Sequence, residues 1–228
     1  MNYCIFTAYN YQINSKVINS HNDLIVRMIQ GTNIKFVPLR YNLPRKYILQ
    51  HQAINYGLQN LYKKYENILV LDVDCIPLSK ESLYYTMNCI ENNVLIGCAR
   101  RSMHIENNKH VYVSPSCIGI SRNLFSEIGF PSFAPTHRGG DAEELTYLTE
   151  EKNIPIEFFM PSHYESEPSD GSSWELNSMD QRYGIGTTFV HESGKEMFYH
   201  LFETRNKIHD FRFLNKCSEV LNGITSII

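Results

Sequence analysis

An apolar run that ends in two closely spaced carboxylates constrains this chain more than any other feature. Residues 68–71 are continuously apolar, which is typical of a strand buried on both faces of a parallel sheet. Asp72 and Asp74 follow directly, and side chains two residues apart in an extended segment point the same way. The pattern predicts an α/β fold in which both acids meet beyond the carboxyl end of a strand, where open α/β sheets bind ligands.

The acidic pair has two interpretations. Two carboxylates on one side offer oxygen ligands to Mg²⁺ or Mn²⁺ and leave coordination positions open for the phosphate oxygens of a substrate. Aspartate is also common after a strand as a helix cap or a turn residue, with no metal nearby. The apolar strand that precedes the pair favours the metal site.

Strands alternate with helices in the first hundred residues. This order predicts a parallel sheet with right-handed crossovers and helices on both faces, which is a three-layer α/β/α architecture with a mostly parallel central sheet. The length suits a single domain, residues 1–228. The predicted strands cover residues 3–8, 34–38, 68–71 and 94–99, and the helices include one that begins near Pro44 and one capped by Ser79.

The second half of the chain has shorter elements and one long polar segment, residues 161–183, which contains the only tryptophan, Trp174. Loops of this length in compact domains are usually lids, binding loops or disordered segments. The predicted elements are strands at 111–113, 117–120, 156–160 and 187–190, a helix over 122–128 capped by Ser121 and stopped by Gly129, a helix that opens in 138–145, and a last helix that carries His200 and Arg205.

Composition excludes several classes of protein. The formal net charge is −3 and no long run of one sign occurs, whereas nucleic-acid binders normally show a basic balance or stripe. No segment approaches the roughly 20 apolar residues that cross a bilayer, and the amino terminus lacks the pattern of a signal peptide. The six cysteines are scattered, several within apolar runs, so we expect reduced, buried thiols in a cytoplasmic protein.

Four short segments together resemble the glycosyltransferases of the GT-A fold. They are the Asp-x-Asp after an apolar strand at residues 71–74, the Ser-Arg-x-Leu-Phe-x-x-x-Gly-Phe segment at 121–130, the Gly-Gly-acid segment at 139–144, and a late strand that ends in His191 with Gly194 after it. The resemblance extends over roughly residues 1–205. It implies a nucleotide-sugar-binding half, residues 1–100, an acceptor and catalytic half, 101–206, and a carboxyl-terminal tail, 207–228.

The resemblance also implies a metal site for a UDP-sugar or GDP-sugar donor. Asp72 would contact the ribose or the metal, and Asp74 would bind the metal that bridges the two phosphates. His191 is similar to the strand-end histidine of these families and would be a third ligand, with His200 as the reserve candidate. A nitrogen ligand in a mostly oxygen site favours Mn²⁺ over Mg²⁺.

The Gly139-Gly140 segment opens a helix with three acids close behind it. Acids in a first turn stabilise a helix through its dipole, and a carboxylate there could also act as the base that takes the proton of an acceptor hydroxyl. We expect Asp141 to be this base, with Glu144 as the second choice; Glu143 stays open. The glycines would let a sugar approach the backbone closely.

Further substrate contacts follow from the resemblance and lie in separate parts of the chain. Thr7, Ala8 and Tyr9 lie at the end of the first strand, where the family places the nucleotide base, and Arg45 and His51 would reach the base or the diphosphate. Ser116 would line the acceptor side, and Trp174 would offer a flat face to an acceptor sugar. Gly194 belongs to the late histidine segment.

The residues and this resemblance together predict a metal-dependent glycosyltransferase, a hexosyl- or related sugar transferase that inverts the anomeric centre with a carboxylate base. Retention is the alternative, because the segment of His191 and Gly194 is also similar to that of retaining families. A sugar nucleotidyltransferase would share the sheet and the metal, but it normally needs a glycine-rich loop after the first strand, and residues 7–15 contain no glycine. A non-catalytic nucleotide- or carbohydrate-binding module is the third hypothesis. The donor base, the sugar, the acceptor, the linkage and the oligomeric state stay open, because a few pocket contacts decide such choices.

Overall fold

The computed structural model describes residues 2–10, 12–41, 50–102, 109–167, 174–176, 182–202 and 207–225. The strands are β1 (Tyr3–Asn10), β2 (Ile34–Tyr41), β3 (Asn67–Leu71), β4 (Cys75–Pro77), β5 (Leu95–Arg101), β6 (Val111–Ser121), β7 (Ile156–His163), β8 (Trp174–Glu175), β9 (Arg182–Tyr183), β10 (Thr187–Val190) and β11 (Glu196–His200). The α-helices are α1 (Ser15–Met28), α2 (Gln50–Leu61), α3 (Lys80–Glu91), α4 (Arg122–Glu127), α5 (Glu143–Glu151) and α6 (Asp210–Thr225).

One mixed sheet runs through the described part of the chain, in the order β2-β1-β3-β6-β5-β7-β10-β11-β4. The pairs β1–β2, β1–β3 and β5–β7 are parallel, and β6 is antiparallel to both β3 and β5. Five strands, β2, β1, β3, β5 and β7, therefore run in one direction. At the far side of β7, the strands β10, β11 and β4 continue the sheet with antiparallel pairs.

Alternate residues of the central strands face two separate cores. In β3, Leu69 and Leu71 pack against α1 and α3, while Ile68 and Val70 pack against α2 and α4. The helices α1, α3 and α6 cover one face, and α2, α4 and α5 cover the other. Because every residue of β3 is buried, its run is apolar without alternation. The predicted three-layer α/β class is confirmed.

Several predicted helix ends are also confirmed. The Ser79 side chain accepts a hydrogen bond from the backbone N–H of Ser82, and Ser121 does the same for Leu124, at 3.0 Å in each case. A serine in this position satisfies a backbone donor that the first turn leaves unpaired. Gly129 follows α4 with a φ of 84°, a left-handed conformation that glycine adopts without strain.

The last part of the chain differs from the prediction. His200 is the final residue of strand β11, which forms an antiparallel hairpin with β10, so the predicted helix carrying His200 is wrong. The tail forms α6, whose Asp210 accepts a hydrogen bond of 2.6 Å from Asn14 at the start of α1. This helix therefore packs on the domain rather than extending from it.

All six cysteines are free and buried, as the scattered thiols predict. In the described part of the chain, none of the helices is both long and apolar enough to span a bilayer.

Candidate functional site

Strand pairing brings a histidine to the acidic pair. Asp72 and Asp74 follow the carboxyl end of β3, and β4 then pairs with β11, so that Cys75 lies opposite His200. The Nε2 atom of His200 is 3.2 Å from Oδ1 of Asp74. One ligand atom from each of Asp72, Asp74 and His200 lies within 4.8 Å of the others. The two predicted acids and the reserve histidine thus form one cluster at the carboxyl edge of the sheet.

Backbone hydrogen bonds hold both acids in place. The N–H of Asp72 donates to the carbonyl of Ser116 on β6 at 2.9 Å, and the carbonyl of Asp74 accepts from Leu201 at 2.9 Å. Asp72 is anchored to one neighbouring strand and Asp74 to the residue after β11. The side chains of the cluster therefore project from a fixed backbone, as a preorganised metal or substrate site requires.

Asp74 opposes the ionisation of Asp72 in the cluster. Burial, together with the neighbouring Asp74 carboxylate, raises the pKa of Asp72 well above its ordinary value, although Arg100 and a hydrogen bond from Gln50 act against this shift. Nearby His21 does not supply a compensating charge, because its complete burial lowers its pKa to about 4. A cation bound between the two acids would favour the ionised form of Asp72.

The residues of the cluster fit a divalent cation. Carboxylate oxygens suit Mg²⁺ and Mn²⁺, and an imidazole nitrogen moves the preference toward Mn²⁺. The Nδ1 atom of His200 is buried without a hydrogen-bond partner in the described part of the chain, so this ring is incompletely satisfied by protein groups alone. Asp72 is half-buried, whereas Asp74 and His200 are 5% exposed, which leaves an approach from the side of Asp72.

The structure does not bring His191 to this cluster. Its Nε2 atom lies 3.0 Å from the hydroxyl of Tyr85 and 3.1 Å from Glu157. Ser193 donates its backbone N–H to His191 Nδ1, so both ring nitrogens are engaged. Gly194, predicted to contact substrate, lies in the same hairpin turn with a φ of 80°. The His191 segment therefore has the contacts of a strand-connecting turn, and the histidine of the acidic cluster is His200.

Asp141 is the most accessible of the three acids in the glycine-rich segment. Its side chain is 43% exposed, and its Oδ1 lies 3.2 Å from Nδ1 of His51, whose side chain is only 7% exposed. A carboxylate placed in this way can reach an acceptor from solvent. His51, predicted to contact the donor, contacts Asp141 in the structure.

The other two acids are held by neighbouring side chains. Glu144 makes two hydrogen bonds with Arg138, at 2.6 and 3.2 Å, and a third with Thr136. Arg138 lowers the pKa of Glu144, which makes it a weaker base. Glu143 has no exposed surface and is bonded to Ser102, His110 and the N–H of Gly140. The side chains of both acids are less exposed than that of Asp141.

Glu143 also explains the glycine before the acids. A Cβ atom on Gly139 would lie 2.2 Å from Oε2 of Glu143, so any side chain there would displace the buried carboxylate. The close approach that Gly139 permits is thus to a group of the protein itself. Gly140 has room for a Cβ, since its nearest contact would be 4.0 Å away.

Residues predicted around the nucleotide base lie at the carboxyl end of β1, next to β3. Thr7 is fully buried, and its hydroxyl has no hydrogen-bond partner among the described residues. Ala8 is 7% exposed and Tyr9 is half-buried. Ser116, predicted on the acceptor side, is buried and contacts Asp72 through its carbonyl. These residues therefore border the acidic cluster.

Two predicted contacts concern side chains that the structure does not describe. Arg45 belongs to the segment 42–49, which lies outside the described residues, and only the backbone of Trp174 is described, as the first residue of β8.

Sequence reasoning missed two residues near the acids. Gln50 donates a hydrogen bond from Nε2 to Oδ1 of Asp72, and Arg100 at the end of β5 lowers the pKa of the same acid. Arg100 had a signal, because it follows a predicted strand that ends at the same edge of the sheet. Gln50 had none, since a glutamine in an amphipathic helix is common on any face.

A search of solved structures returns sugar transferases at low similarity. A protein from Desulfovibrio desulfuricans G20, described as a nucleotide-diphospho-sugar transferase, shares 8% identity at a TM-score of 0.45, covering 68% of this chain and 79% of that chain. Drosophila β1,4-galactosyltransferase 7, in complex with manganese, UDP-Gal and xylobiose, shares 13% identity at a TM-score of 0.47, covering 84% and 71%. The galactosyltransferase LgtC, in complex with donor and acceptor sugar analogs, shares 9% at a TM-score of 0.43, covering 68% and 73%.

No protein-family model and no curated protein sequence matches the chain. Identities of 8 to 13% with TM-scores below 0.5 do not assign it to a family. The ligands of those three proteins are properties of those proteins, and any function of this chain has to be argued from its own side chains.

Proposed function

We propose that this protein is a metal-dependent glycosyltransferase that moves a sugar from a nucleoside-diphosphate sugar to an acceptor hydroxyl, with a glycan as the expected acceptor. One observation carries the proposal: the ligand atoms of Asp72, Asp74 and His200 lie within 4.8 Å of one another at the carboxyl edge of the sheet. A buried, acid-rich cluster at this edge suits a cation that binds a diphosphate.

Asp72, Asp74 and His200 would hold the cation, with Mn²⁺ favoured over Mg²⁺ by the nitrogen ligand. A divalent cation supplies charge neutralisation for a leaving diphosphate. Gln50 orients the carboxylate of Asp72, to which it donates a hydrogen bond, and the Ser116 carbonyl holds the backbone N–H of Asp72. Thr7, Ala8 and Tyr9 border this site and would contact the nucleotide.

Asp141 would act as the base in a transfer with inversion. It accepts the proton of the acceptor hydroxyl, and the hydroxyl oxygen forms a bond to the anomeric carbon. The bond from that carbon to the diphosphate oxygen breaks, and its electron pair leaves with the diphosphate. The 43% exposure of the Asp141 side chain supports this role. By contrast, Glu144 forms an ion pair with Arg138, and Glu143 is fully buried.

The proposal extends to the organisation of the chain and its location. Residues 1–100 would bind the donor and 101–206 would supply the acceptor side. A cytoplasmic location is supported by six cysteines that are all free, since oxidising compartments favour disulfides.

Hydrolysis of a panel of UDP-, GDP- and CDP-sugars with Mn²⁺, without acceptor, tests the proposal. The parent should release one nucleoside diphosphate slowly, because water can replace the acceptor. Asp74→Asn should abolish this release, and chelation of the metal should have the same effect. Lys35→Gln, a surface change on β2, is the matched control and should behave as the parent.

The alternatives give different results. A sugar nucleotidyltransferase would consume a nucleoside triphosphate and release pyrophosphate. A binding module would turn over neither substrate, and its affinity for nucleotides would not change with Asp74→Asn. Either pattern contradicts the proposed transfer.

A further inference from the structure

The start of α2 contacts both halves of the candidate site through consecutive side chains. Gln50 donates a hydrogen bond to Oδ1 of Asp72, and the Nδ1 atom of His51 lies 3.2 Å from Oδ1 of Asp141. Consecutive residues of an α-helix project about 100° apart, so one helix end reaches two separate partners. The candidate metal ligand and the candidate base are thereby joined by neighbouring residues of one rigid element.

The contact between His51 and Asp141 has a defined direction. An ionised carboxylate only accepts hydrogen bonds, so Nδ1 of His51 carries the proton. The bond engages Oδ1, and no second hydrogen bond of the Asp141 carboxylate occurs among the described residues. Oδ2 therefore remains to accept a proton from a hydroxyl.

Burial separates the roles of the two residues. The His51 side chain is 7% exposed and the Asp141 side chain 43%. A ring enclosed to this degree does not reach an acceptor that approaches from solvent, whereas the carboxylate does. His51 therefore acts on the reaction through Asp141.

Hydrogen bonds already fix the backbone on both sides of Asp141. The bond from His51 therefore affects the orientation of the side chain only. The N–H of Gly140 is bonded to Glu143 at 2.9 Å, and the N–H of Ala142 to the carbonyl of Phe133 at 2.9 Å. Ala142 is held in a left-handed conformation with a φ of 64°. Since the terminal torsion of an aspartate is intrinsically broad, the His51 bond is what fixes the carboxylate plane.

We propose that His51 is a positioning residue for the base Asp141, and that the first turn of α2 sets the base relative to the metal ligands. The inference rests on the proposed function and adds to it a residue that the reaction needs but that does not touch substrate.

Substitutions at His51 in the donor-hydrolysis assay with Mn²⁺ test the proposal, with water as the acceptor. His51→Asn keeps an amide N–H close to the position of Nδ1, His51→Gln moves it toward the position of Nε2, and His51→Leu removes it. Asp141→Asn and the double variant with His51→Leu complete a double-mutant cycle. Affinity for UDP with Mn²⁺ is measured for each variant.

We expect His51→Leu and His51→Gln to lower kcat by about 10- to 100-fold, because a small displacement of a reacting group has effects of this size. His51→Asn should recover most of the activity. UDP affinity should change less than about twofold in all of them, and the double variant should be no slower than Asp141→Asn alone. The comparison of Asn with Gln remains decisive if the Leu variant does not fold.

Three results would overturn the inference while the parent is active: kcat within about twofold of the parent in His51→Gln, equal loss in His51→Asn and His51→Gln, or multiplied effects in the double variant. A parent that hydrolyses no donor would overturn the proposed function, and this inference with it.

Discussion

Two groups of histidine and carboxylate side chains lie at opposite ends of the parallel strands, one at the carboxyl edge of the sheet and one at the amino edge. They differ in how many of their polar atoms have hydrogen-bond partners in the protein. At the carboxyl edge, Asp72, Asp74 and His200 leave a ring nitrogen without a partner among the described residues and an acid with a raised pKa. At the other edge, His191 is bonded to Tyr85 and Ser193 and lies 3.1 Å from Glu157. The comparison teaches that a histidine close to an acid is common, whereas a second acid that raises the pKa of the first indicates a place for a cation.

The largest effect is expected from a substitution in the cluster of Asp72, Asp74 and His200. Asp74→Asn should lower metal-dependent donor cleavage by about 1000-fold or more, because a bound cation supplies several kcal/mol to the transition state. Glu157→Gln, the same kind of change in the other group, should leave the rate within about twofold. Steady-state release of nucleoside diphosphate measures both. Equal losses in the two variants would remove the distinction between the groups.

A similar contrast, between an exposed acid and acids held by several neighbouring side chains, exists within the glycine-rich segment. Asp141→Asn should lower kcat by about 100-fold or more, because a general base contributes on this scale. Glu144→Gln should affect kcat little and destabilise the fold, since it weakens the pairing with Arg138. Kinetics and urea denaturation of both variants separate the two effects. The opposite order would make Glu144 the base.

The raised pKa of Asp72 predicts a pH dependence of stability. Above about pH 4, where an unfolded aspartate has released its proton, the folded metal-free protein still holds it on Asp72. Stability from this group is therefore lost as pH rises toward the raised folded pKa. Urea denaturation of the parent and Asp72→Asn from pH 4 to 8 should show the parent losing stability relative to the variant, by about 1.4 kcal/mol per unit of pKa shift.

Mn²⁺ should reverse this loss in the parent and not in Asp72→Asn, because the ion binds the ionised carboxylate. A difference between the two proteins that does not change with pH would contradict the assigned shift.

The smallest effect concerns the group at the amino edge. Tyr85→Phe removes the hydrogen bonds of the hydroxyl to Glu157 and His191, and should cost about 1 kcal/mol of stability. Donor cleavage should not change. Denaturation and kinetics on the same preparation check both statements, and a loss of activity without a loss of stability would give this edge a functional role.

The sequence predicts the acids of the site far better than their histidine. The continuous apolar run at residues 68–71 predicts a buried strand, and Asp72 and Asp74 follow at the end of that strand. The identity of the histidine depends on the pairing of β11 with β4, between residues far apart in the chain. Local patterns do not encode such a pairing.

The hairpin that carries His200 did have a local signal. Residues 187–190 and 196–200 are rich in aromatic and β-branched side chains, and the short connection between them contains Gly194, which is a hairpin pattern. By contrast, the enclosure of Glu143 and the Arg138 pair of Glu144 arise from packing of α5 against β6 and the loop before it. Three acids in one segment look alike until that packing is known.

Binding of Mn²⁺ to the parent, His200→Ala and His191→Ala, measured by electron paramagnetic resonance with and without UDP, tests the central claim most directly. We predict one site per chain in the parent, tighter with UDP, and an affinity at least about tenfold lower in His200→Ala, since even groups behind metal ligands affect affinity by about 10- to 100-fold. His191→Ala should bind as the parent does. No site in the parent, or a loss in His191→Ala with His200→Ala unchanged, would contradict the metal site at the carboxyl edge.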